Sequence, residues 1–260
     1  MEVWREIISH LPPGSLHPIL LTSWRLFYAT VGPLYRSVTF GDQHAFSLLH
    51  GLQKAKVSSA LARKSIRSLT YRSMGTPRSL PCMPILAEIL PFLINLEHLS
   101  LDVPGTVAEY LMKQLERHSV IAQTQNIFGL VHRTLQGQHV AAPRLDTTLS
   151  RLSSLTVKGL PRLVGIARGR PLKHLVINDA VSWPLLVDLM NAYVAGGGST
   201  TLLSLSLIFD QSMKNADVVY AIYAIGSAFP KLLRLALQIQ GINAMVRFLF
   251  THRTLSFLMR

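Results

Sequence analysis

A single cysteine among 260 residues leaves Cys82 without a partner, so the chain has neither a disulfide framework nor a thiolate metal site. That scarcity fits a reducing compartment, and Cys82 is expected to be an inert buried thiol. Acid is scarce too: 13 Asp and Glu stand against 26 Lys and Arg, a formal charge of +13. No acidic residue falls between Gln43 and Ala87, where Lys54, Lys56, Arg63, Lys64, Arg67, Arg72 and Arg78 all lie, and none follows Asp217. Such a balance attracts phosphate or an acidic protein surface, and a merely solvated basic face is the plainer expectation. Long apolar runs are also missing. The stretch from Leu80 to Leu96 is broken by Pro81, Pro84 and Pro91, and the one from Val218 to Phe229 stops at Pro230. Both fall short of the roughly 20 residues a membrane span needs and read as core. Glu2, Arg5 and Glu6 sit where a basic leader would precede an apolar run, so export is not expected; a cytoplasmic or nuclear location is.

Catalytic signatures are absent as well. There is no Gly-x-Ser-x-Gly elbow, and Gly196-Gly197-Gly198-Ser199 lacks the lysine of a phosphate-binding loop. None of the ten histidines pairs with another at helical i+3 or i+4 spacing; His132 and His139 are seven apart with no carboxylate cluster to join them. The basic group Arg162, Arg168, Arg170 and Lys173 contains no aromatic residue on which a base could stack. No metal, no cofactor and no enzymatic activity are expected.

What the chain does have is apolar content, 49% against 15% charged, which excludes intrinsic disorder, and a repeat. The form apolar-x-x-Leu-x-apolar occurs as Ile66-Leu69-Tyr71, Leu96-Leu99-Leu101, Leu152-Leu155-Val157, Leu172-Leu175-Ile177, Leu202-Leu205-Leu207 and Leu232-Leu235-Leu237. The central leucines, at 69, 99, 155, 175, 205 and 235, are spaced by 30, 56, 20, 30 and 30. The gap of 56 is nearly two periods and leaves room for a degenerate unit around Ile127 to Val131, within an irregular stretch, 119–149. Each copy ends in alternating residues that suit a short strand. Helical stripes follow: Val107, Leu111 and Leu115; then Leu185, Leu186, Leu189, Met190 and Tyr193, stopped by Gly196 to Gly198. Two more are expected, Val218, Val219, Ile222 and Ile225 before Pro230, and Met245, Val246 and Leu249. Leu255 to Leu258 is not a polar cap, so the end of the array is expected to be prone to association.

A strand and a helix every 30 or so residues cannot bury their own apolar faces, but stacked units align the strands into a parallel sheet with helices outside. The expected class is α/β, a curved solenoid. The pattern resembles leucine-rich repeats of the longer, helix-containing kind, over 34–260. The Asn or Cys that follows the strand in that family is irregular here, with Asn178 its best match.

Ahead of the array, Glu2 to Ser9 predicts a helix bearing Val3, Trp4, Ile7, Ile8 and Leu11, ended by Pro12-Pro13. Ser15 is the expected N-cap of a second helix, with Pro18 in its first turn and Leu16, Ile19, Leu20, Leu26 and Phe27 supplying contacts. Two helices this short are marginal alone and must pack on something else. The ordered set Glu2-Val3-Trp4, Ile7-Ile8, Leu11-Pro12, Ser15-Leu16, Leu21-Thr22-Ser23, Phe27 and Pro33-Leu34-Tyr35-Arg36-Ser37-Val38 resembles an F-box followed by the first strand of the fungal type of F-box repeat protein. Three features depart from that pattern: no Leu-Pro precedes Glu2, Trp24 stands where a basic residue is usual, and the link before Tyr35 is a residue short.

The resemblance implies a helical module over 1–33 and a repeat array over 34–260. It further implies a substrate-recognition adaptor of an SCF-type cullin-RING ubiquitin ligase, whose N-terminal helices dock on the Skp-type linker subunit while the repeats hold a protein substrate. By carry-over, Trp4, Ile8, Leu11, Pro12 and Leu16 touch the linker or support that surface, or else pack internally. On the concave sheet face, the substrate candidates are His98, Ser100, Lys158, His174, Ser204, Ser206 and Arg234. The alternatives from residue chemistry alone are a basic repeat module binding nucleic acid or an anionic surface, and a protein-interaction scaffold unconnected with ubiquitin. No membrane partner is expected.

Overall fold

The computed structural model describes residues 2–20, 22–54, 56–121, 148–195, 201–213, 215–240, 245–251 and 254–259. Every one of the six leucine motifs forms a strand. These are β2 (Ser68–Arg72), β3 (His98–Asp102), β4 (Ser154–Lys158), β5 (His174–Val181), β6 (Ser204–Phe209) and β7 (Arg234–Ile239), preceded by β1 (Ser37–Gly41). Each pairs with the next in sequence, and all seven are parallel. The chain is an α/β protein.

The register sets the leucines in one line. Val38, Leu69, Leu99, Leu155, Leu175, Leu205 and Leu235 are paired across the sheet, and Phe40, Tyr71, Leu101, Val157, Ile177, Leu207 and Leu237 form a second line two residues on. All fourteen are buried. At about 1.5–3 kcal/mol for each such side chain removed from water, these two lines are the principal favourable contribution from the sheet. The turns before the strands repeat one device: a single carbonyl accepts the two N–H groups opening the next strand. The Arg36 oxygen takes those of Arg67 and Ser68, the Arg67 oxygen those of Glu97 and His98, and the series continues through Glu97, Ser153, Lys173 and Leu203.

Helices cover the leucine side. α1 (Glu2–Ser9), α2 (Pro13–Leu20) and α3 (Trp24–Tyr35) precede the sheet; α4 (Asp42–Gln53), α5 (Val57–Ser65), α6 (Cys82–Ile89) and α7 (Gly105–Arg117) follow the first three strands. After β4 comes only a 3-10 helix, Pro161–Ala167, which explains the shortened spacing of 20; α8 (Trp183–Ala195) and α9 (Asn215–Ala228) follow β5 and β6. α4 packs on α6, α6 on α7, and α8 on α9. In α7 the residues Val107, Ala108, Leu111 and Leu115 form the buried stripe. Among the described residues no helix is long and apolar enough to cross a membrane. The two apolar runs supply core residues such as Leu86, Leu90, Ala221 and Ile225.

Several expectations change. β3 pairs directly with β4, so no strand lies between them in the sheet, whatever the gap of 56 holds; Ile127 to Val131, His132 and His139 lie outside the described residues, as do Gly196 to Ser199. Met245–Thr251 is a strand, β8, not a helix. It runs antiparallel to β7 and pairs with β9 (Thr254–Met259). The open edge of β7 offers unpaired backbone groups, and the Val- and Phe-rich segment satisfies them by pairing. Val219 is exposed: at 100° per residue, Val218, Ala221, Ile222 and Ile225 share the inward arc of α9 and Val219 falls outside it.

α2 begins at Pro13, not after Ser15, which lies inside it. A proline suits the first helical position because its φ is already helical and it has no N–H to satisfy there. Pro18 consequently sits in the second turn, where it removes one helical hydrogen bond. α3 is capped by Ser23, whose Oγ accepts from the Leu26 N–H at 3.2 Å, and it runs past position 33 to Tyr35, so the expected boundary between 33 and 34 falls inside a helix. The helix faces two ways. Ala29 packs with Ile8 and Leu16 in a small cluster that Leu11, Ile19 and Leu34 flank, while Val31 belongs to the main core.

Candidate binding surfaces on the N-terminal helices and the open sheet face

The small N-terminal cluster decides which residues of the first helices are available to a partner. Ile8 and Leu16 are 1% and 2% exposed, so they support a surface from within and cannot contact a partner themselves. Leu11 is half-buried against them. Pro12 is exposed, and Trp4 is 52% exposed. Sequence spacing could not separate the two classes, because α1 places Trp4 and Ile8 one turn apart on neighbouring arcs.

The structure adds residues that the sequence reading did not name for this purpose. Trp24, 67% exposed, joins Trp4, Ser23, Arg25 and Leu26 around an open cleft. Its ring meets Tyr28 edge-on at 5.9 Å, and the Arg25 guanidinium lies over it, 5.6 Å from the ring centroid. Ile7 and Tyr28 are also exposed. Four large apolar or aromatic side chains held outward on two helices, α1 and α3, are a different situation from scattered surface hydrophobes.

No family model matches the chain, and no curated protein matches it.

The second surface is the sheet face turned away from the helices. All seven substrate candidates stand on it. Ser37, Ser68, His98, Ser154, His174, Ser204 and Arg234 form one row in register; Thr39, Thr70, Ser100, Thr156, Val176, Ser206 and Ala236 form the next. His98, His174 and Arg234 are exposed, whereas Ser100, Ser204 and Ser206 are half-exposed between their neighbours. In the third row Arg72 faces Asp102, and Lys158 on the far side of Asp102 pairs with it at 3.2 Å. Asn178 is exposed and lies inside β5, where the register shifts between Ile177 and Ala180, and does not follow the strand. Of the basic group expected near 162–173, Arg162 and Lys173 are exposed but Arg170 is buried, so it is not part of a surface.

Two carboxylates, Asp42 buried and Asp179 half-buried, hold the ends of these strands. Asp42, at the start of α4, accepts from Tyr71 Oη at 2.7 Å, the Met74 N–H at 2.8 Å, Thr76 Oγ1 at 3.1 Å and Ser73 Oγ at 3.4 Å. Burial pushes its carboxyl up, but the hydrogen bonds, led by that of Tyr71, outweigh burial and hold it below the ordinary value. The Tyr71 phenol is pushed up by burial and by this carboxylate. Burial likewise raises the Cys82 thiol, whose Sγ donates to the Arg78 carbonyl, matching the inert thiol expected. Asp179 takes the Gly159 N–H on both oxygens at 2.8 and 2.7 Å, and burial raises its carboxyl overall.

The Asp42 arrangement predicts an acid-sensitive fold. Because the folded-state value is depressed, its contribution is present above the unfolded carboxylate range and is lost as pH falls through the folded value. Asp42→Asn, which turns an N–H group toward donors, is expected to cost about 2–4 kcal/mol at neutral pH and less at low pH. Urea denaturation of both proteins at a series of pH values measures this. A gap that does not narrow on acidification would remove Asp42 as the cause. Asp179 acts with the opposite sign, its raised value favouring the fold at low pH and losing that contribution as pH rises through it.

Proposed function

We propose that this protein is a substrate-recognition adaptor of an SCF-type ubiquitin ligase, with an F-box-like N-terminal module and a leucine-rich-repeat-like solenoid. In this reading the N-terminal helices dock on a Skp-type linker subunit and the open sheet face holds a protein substrate. The observation that carries it is the outward cluster of Trp4, Ile7, Trp24 and Tyr28, on helices with a small core of their own, joined by α3 to strands that stack in sequence order. A short helical module presenting aromatic anchors is suited to insertion in a partner's apolar groove. The sequential parallel strands with helices on one side support the repeat reading. The adaptor itself does no chemistry; its role is to bring two proteins together.

The test is capture of the linker subunit by the full chain and by a Trp4→Ala, Trp24→Ala variant. Both side chains are exposed, so the variant is expected to fold normally while capture weakens by about a hundredfold, the loss of two anchors at roughly 1–2 kcal/mol each. Capture that is absent in the parent chain, or unchanged in a folded variant, would reject this docking surface. Salt-sensitive binding of nucleic acid in its place would favour the basic-module reading, for which the charge of +13 is the supporting observation.

A further inference from the structure

The first row of the open sheet face alternates in chemistry. From β2 to β7 it reads Ser68, His98, Ser154, His174, Ser204, Arg234, so a nitrogen-bearing side chain stands on every second strand with a hydroxyl between. Neighbouring strands lie about 4.8 Å apart, which places His98, His174 and Arg234 at intervals of about 9.6 Å along a line crossing the sheet. Among the described strand residues of this face the one carboxylate outside the β5 bulge is Asp102, and Lys158 already pairs with it. The first row therefore lacks acid and has its donors evenly spaced.

An extended peptide in polyproline II conformation advances about 3.1 Å per residue with three residues per turn, so every third side chain points the same way at intervals of about 9.3 Å. That period matches the row. A β-strand ligand does not match, because its residues alternate with period two and the third one points away. Polyproline II also has no internal hydrogen bonds, and the hydroxyls of Ser68, Ser154 and Ser204 lie between the nitrogen groups, where its free backbone groups would pass. From this we infer that the open face binds a protein segment in polyproline II conformation with Asp or Glu at every third position, its carboxylates meeting His98, His174 and Arg234 in turn. The inference rests on the adaptor reading for its biological setting and names the class of substrate segment recognised. A nucleic acid fits less well: the first two rows contain no Phe, Tyr or Trp on which a base could stack.

The experiment uses the full chain and three probes: a Pro/Ala-rich peptide with Glu at every third position, a peptide of the same composition with its Glu residues contiguous, and oligouridylate. The expected result is tighter binding of the first, weakened about tenfold by Arg234→Ala and further by His174→Ala, with unchanged thermal melting. Linker capture by these variants is measured in parallel and is expected to be unaffected. Equal binding of the two peptides would overturn the inference in favour of unspecific charge attraction. Tighter binding of oligouridylate, lost in the same variants, would overturn it in favour of nucleic acid, and failure of the spaced peptide to bind would overturn it outright. If the spaced peptide binds but the linker does not, the adaptor reading falls and the peptide surface stands.

Discussion

Gly159→Ala is expected to abolish the folded state, or to destabilise it by more than about 4 kcal/mol. Gly159 follows β4 with φ +105°, a region that L-residues rarely enter, and a Cβ built there would lie 1.3 Å from the Val103 carbonyl oxygen. The obstruction is backbone, which no rotamer change can clear. Val103 is itself fixed, since its N–H bonds the Lys158 carbonyl at 2.9 Å, so moving it away breaks the tie between the ends of β3 and β4. The Asp179 carboxylate, which takes the Gly159 N–H on both oxygens, would lose its partner in the same step. A matched control is available in Gly51→Ala. Gly51 lies within α4 with open space around it, and there alanine is expected to stabilise by about 0.5–1 kcal/mol through helix propensity. Urea denaturation of the pair tests the contrast, and a Gly159→Ala protein as stable as the parent would contradict the close approach.

Arg170→Met is expected to be the second severe change, at about 3–5 kcal/mol. Arg170 is 5% exposed, and its guanidinium spreads over backbone oxygens from three segments. Nε donates to the Thr148 carbonyl at 3.0 Å, one Nη2 bond reaches the Val120 carbonyl at 3.0 Å and another Thr148 Oγ1 at 3.3 Å, while Nη1 donates to the Ile166 carbonyl. Val120 and Thr148 border 122–147, so one side chain ties the two ends of that stretch to the turn after the 3-10 helix. Methionine keeps the apolar stem and leaves those oxygens buried without donors. Arg170→Lys is expected to recover little, because an ammonium is a compact donor that cannot reproduce the planar fork. Chemical denaturation gives the cost, and limited proteolysis followed by mass spectrometry is expected to show new cleavage beside Val120 and Thr148. Recovery of full stability by lysine would mean that charge, not the fork, is what matters.

The strands were legible because alternation is a local property. Leu69, Leu99, Leu155, Leu175, Leu205 and Leu235 each sit in the same short motif, and a residue flanked by polar neighbours at period two has one apolar face to bury wherever the strand goes. All six became the second residue of a parallel strand in one register, and the seven polar candidates beside them all reached the opposite face. Helix stripes were legible for the same reason, as Val107, Leu111 and Leu115 illustrate. Where two periods fitted one segment, the reading failed: Met245, Val246 and Leu249 suit a helical stripe, yet the neighbouring edge of β7 drew them into a strand. Whether that edge was open depended on the sheet, not on the segment.

Much of what positions the candidate surfaces lay beyond local pattern. Trp4 and Ile8 look alike on a short amphipathic helix; the packing of α3 across them buries one and exposes the other. Trp24 departs from the pattern that the chain resembles, and its place beside Trp4 emerges only when α1 and α3 are brought together.

The sequence by itself determined the alternating strands, their apolar and polar faces, the excess of positive charge and the scarcity of thiols, since each follows from residue type and spacing along a few neighbouring positions. The tertiary structure alone decided that Asp42 meets Tyr71, that Asp179 holds Gly159, that Arg170 joins Val120 to Ile166, and that His98, His174 and Arg234 stand in one line. Those partners are separated by tens of residues, and a hydrogen bond or a shared row between them exists only after stacking has brought their strands and turns within a few ångströms.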